Sequence, residues 1–196
     1  MKLDISITIG LKCHETNHAA KLYWQAFSKK LNYFLGPKQK GEIYISKILN
    51  KKNMFVARNK ENHIVGLSGF RSKNGGAIEG SYDDLVVVYG YFGAFWRFQF
   101  LKLLVREDSF ESLHLDAVCV EKQNRGKGVG SQLIFFAKKF AKAKSLKSIE
   151  LDVTSSNDNA IKFYKKLNFY KTSEEQMGFL GCFVCYKSII RMRLDL

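Results

Sequence analysis

A chain of 196 residues, 46% hydrophobic and 26% charged, can bury one core and is short for two, so one globular domain over residues 1–196 is expected rather than a disordered chain. Its 32 basic residues against 18 acidic ones leave a formal charge of +14, which attracts nucleic acid, anionic membrane or a phosphorylated small molecule without choosing among them. A lone proline and the absence of Gly/Ser/Pro-rich stretches exclude an obvious linker, and cysteines without a secreted framework's spacing, behind an N-terminus without a signal peptide's apolar run, suit a reducing cytoplasm.

Residues 3–8 alternate like a strand, and Thr16 precedes a helical pattern through Ala20, Leu22, Tyr23 and Phe27 that Gly36-Pro37 stops. A short helix over 43–49 leads to an apolar strand at 54–58, and the turn at 59–62 returns the chain through 64–70 as a hairpin. Residues 82–105 read as an aromatic-rich helical insertion of one or two amphipathic helices covering the core or a substrate channel. The uncharged run within it is interrupted by Arg97 and Lys102 before it reaches the length of a membrane span, and docking on a membrane surface stays open. Strands follow at 113–120 and 148–154, each succeeded by a helical pattern, the second helix being short and ending near Asn168. Residues 169–172 and 179–192 close the chain as strands. Cys182 and Cys185 form an isolated C-x-x-C among aromatics, with no second ligand pair, so strand packing is expected there and no metal site. The order describes an α/β (α+β) mixed sheet with helices on both faces.

One turn carries chemistry. Gln123-Asn124-Arg125-Gly126-Lys127-Gly128-Val129-Gly130-Ser131 follows a strand and opens a helix, so unpaired backbone N–H groups and the positive end of the helix dipole converge on one point that suits an anion. Glycines there let a diphosphate approach the amides and permit positive φ. A Walker loop would close on Gly-Lys-Ser/Thr, which is absent, and the architecture of a dinucleotide-binding turn is missing.

The stretch from Val118-Cys119-Val120 through Arg125-Gly126-Lys127-Gly128-Val129-Gly130 resembles the acetyl-CoA motif of GNAT N-acetyltransferases, Arg/Gln-x-x-Gly-x-Gly/Ala. Registers starting at Gln123 or Arg125 both match, and the second leaves the family's strand-end valine at Val120. Lys122 replaces a proline that many members carry. Asn157-Asp158-Asn159-Ala160-Ile161-Lys162-Phe163-Tyr164-Lys165-Lys166-Leu167-Asn168-Phe169 is similar to the family's second block, departing where Asn168, itself tolerant of left-handed backbone, replaces a glycine.

The resemblance implies a GNAT fold in which two parallel strands, here 113–120 and 148–154, splay to admit the pantetheine of acetyl-CoA as a pseudo-strand. Carried over, Val118, Cys119 and Val120 border the pantetheine, and the segment Arg125, Gly126, Lys127, Gly128, Val129, Gly130 and Ser131 holds the pyrophosphate. Asn157 and Ala160 lie along the arm, with Lys165 or Lys166 near the nucleotide. The implied reaction is acetyl transfer to a primary amine by direct attack. Tyr164 matches the tyrosine placed to protonate the departing thiolate. A base is useful because an ammonium has no lone pair. His114 stands where some members carry a catalytic glutamate and Asp152 where others place a carboxylate, while Asp116 either orients His114 or acts alone. Strand alternation puts His114, Asp116, Val118 and Val120 on one face, and Glu150 with Asp152 on a face of the next strand. Cys119 as an acyl carrier is less in keeping with a buried strand than an apolar filler. The acceptor is open: a protein N-terminus, a lysine, a polyamine or an aminoglycoside-like amine. Two other functions compete, a non-catalytic acyl-CoA sensor and a basic RNA- or ribosome-associated protein. No RNA-binding motif supports the latter, so no nucleic-acid partner is expected. A homodimer, common in the family, stays open.

Overall fold

The computed structural model describes residues 4–72, 75–102, 111–178 and 186–196. Cys182, Cys185 and residues 103–105 of the insertion lie outside these, as does the start of the strand expected over 179–192.

The chain runs β1 (Ser6–Ile9), α1 (Thr16–Leu35), α2 (Lys38–Ile48), β2 (Met54–Arg58), β3 (Ile64–Phe70), α3 (Tyr82–Lys102), β4 (Ser112–Val120), α4 (Val129–Ala143), β5 (Ser148–Thr154), α5 (Asp158–Lys166), β6 (Tyr170–Gln176) and β7 (Ser188–Asp195). The strands form one mixed sheet in the order β1-β2-β3-β4-β5-β7-β6, in which β4 and β5 are the parallel pair and every other neighbour is antiparallel. β2 and β3 are buried along their whole length, as strands covered on both faces are, and this explains why they are apolar apart from Arg58 and Ser68. β6 is exposed throughout and forms one edge.

Two cores follow from this layering. On one face, Trp24, Phe34, Tyr44, Ile45 and Leu85 from α1, α2 and α3 pack on Met54, Val56, Leu67, Ala117 and Cys119. On the other, α4 and α5 bring Leu133, Ile134, Ala137 and Tyr164 onto Phe55, Val65, Leu115, Ile149 and Met192. Helix α4 presents Val129, Leu133, Ile134, Ala137 and Ala141 on one stripe, the spacing that the sequence periodicity demands. It approaches β3 so closely that a Cβ at Gly66 would lie 2.9 Å from Val129 Cγ1 and 3.1 Å from the Cys119 carbonyl oxygen; the absence of a side chain at Gly66 therefore lets the start of α4 come this near to β3.

The entrance to α1 is anchored by a buried ion pair. Arg58 of β2 donates from Nε and Nη2 to the Glu15 carboxylate at 2.8 and 2.7 Å, and from Nη1 to Thr8 Oγ1 of β1 at 2.6 Å. Arg58 and its neighbours hold Glu15 below the ordinary carboxylate range, the guanidinium hydrogen bond being the largest cause. Helix α3 bends at Gly90, whose φ of 70° and ψ of 170° divide it in two.

Candidate active site

The defining feature is a strand pair that comes apart. β4 and β5 are in register from Ser112↔Ser148 to Leu115↔Leu151 and no further. Past that point β4 continues against β3, with Ala117 to Val120 opposite Gly69 to Gly66, while Asp152, Val153 and Thr154 continue against β7. The edges of 116–120 and 152–154 that face one another therefore have no partner strand among the described residues. Main-chain donors and acceptors left this way accept an extended ligand as an added strand.

A β-bulge in β4 lies where the gap begins. The register against β3 slips between Gly69 and Phe70, so that Leu115 and Ala117 oppose consecutive residues and Asp116 is the extra one. This overturns the expectation that His114, Asp116, Val118 and Val120 share a face. Leu113 and Leu115 enter the core under α4, whereas Ala117 and Cys119 enter the core under α1 and α3 and Val118 and Val120 turn back toward α4. His114 and Asp116 thus lie on the α1–α3 side, opposite Val118 and Val120. Glu150 and Asp152 do share a face, since Ile149, Leu151 and Val153 occupy the other.

At the end of β4, residues Lys122–Asn124 form a single 3-10 turn tied down by Glu121, whose Oε2 accepts from Asn124 Nδ2 at 2.8 Å and Gln123 Nε2 at 3.0 Å. Gly126 and Gly128 then adopt φ of 76° and 84°, conformations that cost an L-residue with a Cβ roughly 1–2 kcal/mol. Gly128 caps α4 without any side-chain hydrogen bond. The first intrahelical bond to it comes from Gln132 N–H at 3.0 Å, which leaves the Val129, Gly130 and Ser131 amides directed out of the helix end. The turn that leads to them is solvent-exposed at Arg125, Gly126 and Lys127. Arg125 folds back and donates from Nε to the Val120 carbonyl at 3.1 Å. Beside the turn, Lys122 and Arg125 form one wall of an open cleft of about 460 Å³, with Trp24, Gln25 and Ser28 of α1 and Lys38 of α2 opposite.

Tyr164 projects from α5 into the apolar core beneath α4, 9% exposed, with Phe163 and Phe169 rings at 5.2 and 5.5 Å. Burial, with a smaller contribution from Cys119, pushes its phenol far above the ordinary range, so it is a neutral O–H donor at any physiological pH. Cys119 is fully buried and its thiol is likewise pushed far upward by burial, leaving no thiolate for acyl transfer. The three candidate bases sit in different surroundings. Asp116 accepts from Arg71 Nε at 2.6 Å and from the Ala77 amide at 3.0 Å. Asp152 accepts from Arg191 Nε and Nη2 at 3.1 and 3.4 Å. His114, buried, lies in register beside Glu150 one step before the strands part.

Along α5, Asn157 Oδ1 caps the helix by accepting from the Ala160 amide at 3.2 Å, which engages both residues and leaves the Asn157 NH2 group for a ligand. Lys165 and Lys166 are exposed in the last turn of α5, at the helix end remote from Asn157 and suited to its negative dipole. Asn168 takes φ of 67°, as its place at a glycine position anticipates. Tyr23, which its helical spacing marks as core, packs on the core that Cys119 enters. Burial first, then Cys119 and Asp116, push its phenol upward. The pairing of α1 with β4 is tertiary and leaves no local trace in the sequence. The described residues contain no group of three or more His, Cys, Asp or Glu that could hold a metal ion.

The model of the acetyltransferase (GNAT) family matches residues 17–169. No curated protein matches by sequence. Among solved structures, a GCN5-related N-acetyltransferase from Kribbella flavida is 14% identical with a TM-score of 0.64, covering 98% of each chain. An N-acetyltransferase from Staphylococcus aureus Mu50 is 15% identical with a TM-score of 0.64, covering 96% of this chain and 100% of the other. A putative streptothricin acetyltransferase from Bacillus anthracis, solved with acetyl coenzyme A, is 20% identical with a TM-score of 0.52, covering 76% of this chain and 66% of the other. At these identities the likeness is one of fold.

Proposed function

The chain belongs to the acetyltransferase (GNAT) family, and from that premise we propose that it transfers the acetyl group of acetyl-CoA to a primary amine by direct attack in a ternary complex. The observation that carries this reading is the parting of β4 from β5 beyond Leu115 and Leu151, next to a helix end whose amides are uncapped. A diphosphate at Val129, Gly130 and Ser131 and an extended arm along 116–120 use these two features together. Binding requires Arg125 to leave the Val120 carbonyl, which frees that acceptor for the arm and the guanidinium for phosphate.

Acetyl-CoA supplies an activated acyl group as a thioester. The amine nitrogen must be neutral to attack, and its proton passes to a base, directly or through water. His114 is the base this reading favours, because it lies beside Glu150 at the last step but one at which β4 and β5 pair, next to the gap. On this account Asp152 with Arg191 shapes the acceptor side of the gap and Asp116 fixes the bulge. When the C–N bond has formed and the C–S bond breaks, Tyr164 donates its phenolic proton to the thiolate and recovers it from solvent. The net change is one amide and one free thiol.

The test is a panel of amines offered with acetyl-CoA and followed by free-thiol release. An acceptor that produces thiol in proportion to acetylated product supports the enzyme. Tight acetyl-CoA binding without turnover on any amine would favour a sensor, and absence of acetyl-CoA binding would remove the reading altogether.

A further inference from the structure

Beyond Gly90, helix α3 is fixed in rotation about its axis. It buries Ala94 and packs Phe98 and Leu101 against the core. Arg97 is stacked at 4.0 Å on the Tyr89 ring and 4.2 Å on the Trp96 ring, and it donates from Nη1 to the Gly93 carbonyl at 2.9 Å and from Nη2 to the Gly36 carbonyl at 3.2 Å. Tyr89 adds a hydrogen bond to the Leu35 carbonyl at 2.5 Å. The side turned outward is therefore a lasting surface, and it is aromatic: Tyr91, Phe92, Phe95 and Trp96 are 75%, 96%, 62% and 40% exposed. Phe92, Phe95, Trp96 and Gln99 follow one another at i, i+3, i+4 and i+7 on one exposed face of the helix. Scattered apolar residues are ordinary on a protein surface, but four adjoining aromatics mark a contact site.

We propose that this stripe docks the protein on an anionic lipid bilayer, with α3 lying in the headgroup plane, Phe92 and Phe95 entering the acyl boundary, and Tyr91 and Trp96 at its polar edge. Its composition fits that occupant, since tryptophan and tyrosine favour the interface and phenylalanine its apolar side. Charge fits as well. Lys102 lies 4.6 Å over the Phe98 ring on the same helix and Lys40 5.9 Å over Tyr89, two core-packed rings, so these cations flank α3 rather than sit on the stripe. The formal charge of +14 attracts anionic headgroups, whereas a second copy would set +14 against +14. Asp83 and Asp84 sit in the first turn, ahead of the bend. No helix among the described residues is long and apolar enough to cross a membrane, so the contact is peripheral.

The whole protein is mixed with vesicles of phosphatidylcholine and phosphatidylglycerol, or of phosphatidylcholine alone, and binding is read by co-sedimentation and tryptophan emission. Trp24 is buried and serves as a constant background, so a blue shift reports Trp96. The expected result is binding to the anionic vesicles that salt weakens. A Phe92→Ser/Phe95→Ser double variant should then partition about tenfold or more weakly, in line with the loss of two inserted aromatic side chains. Because both side chains point to solvent, its melting temperature and acetyl-CoA affinity should match the parent's. Absence of binding to anionic vesicles at low salt overturns the proposal. Equal binding by parent and variant also overturns it, since attraction would then owe nothing to the stripe. So does a parent dimer that the double variant converts to monomer without vesicle binding, which would make a second copy the occupant.

Discussion

Placing a carboxylate at the cap of α4 probes the anion site with least disturbance elsewhere. Gly128 sits at φ 84°, ψ 0°, so Gly128→Glu adds a Cβ in left-handed backbone, a cost of roughly 1–2 kcal/mol. A negative side chain at a helix N-terminus returns about 0.3–1 kcal/mol, and the variant should stay folded with a stability loss near 1 kcal/mol. Binding is a different matter, because the new carboxylate lies among the Val129, Gly130 and Ser131 amides where the diphosphate must sit. One charge pair at about 4 Å costs ~1 kcal/mol in water-like surroundings and ~4 kcal/mol at an effective dielectric constant of 20. Two phosphate charges then raise the penalty to at least ~2 kcal/mol, a loss of at least about 30-fold in affinity. Gly128→Ala carries the strain without the charge and should keep most of the affinity. Calorimetry with acetyl-CoA on both variants separates the two effects, and a Glu variant that binds as tightly as the Ala variant refutes the phosphate placement.

Tyr164→Phe should lower kcat by roughly 10- to 100-fold while acetyl-CoA affinity hardly changes, since only a proton donor is removed; equal losses in both would assign Tyr164 to packing. His114→Gln should lower kcat more than Asp152→Asn does, measured by free-thiol release at saturating acceptor; the opposite ranking would move the base to Asp152. Glu15→Gln should destabilise the fold by about 3 kcal/mol at neutral pH, because Arg58 keeps its charge in a buried place without a counter-charge, as urea titration would show. Glu15 is held below its ordinary pKa of 4.5, so its stabilising contribution is complete above that value and is lost as pH falls through the lower folded one. The acid limb of stability should therefore be shallower in the Gln variant, and an unchanged limb would show that the pair contributes nothing.

What could be read from the sequence was local. The bounds of β2 and β3 follow from short, mainly apolar runs closed by turn residues, those of β5 from an alternating one, and α1 is delimited by Thr16 and by Gly36-Pro37. Helix α5 and its Asn157 cap, the positive φ of Gly126 and Gly128, and the left-handed Asn168 were equally accessible, because each depends on a few adjacent residues. The features that shape the site depend on distant partners. The bulge at Asp116 arises from register against β3, and no pattern within β4 announces it, so alternation counted through it assigns faces wrongly. Arg71 and Arg191 are far in sequence from Asp116 and Asp152, and their ion pairs could not be anticipated from either strand alone. The start of α2 at Lys38, ahead of the expected 43–49, reflects packing of Gly41 beneath Trp24 rather than an apolar repeat. The parting of β4 and β5 came from family resemblance, and its position, just past Leu115 and Leu151, from the structure.

Backbone amide chemical shifts followed by NMR during titration with acetyl-CoA test the central claim most directly. The account predicts large changes at Ala117 to Val120 and at Gly126 to Ser131, with Ser112 to Leu115, already paired to β5, nearly silent. Saturable binding that leaves both of those segments unchanged would contradict it.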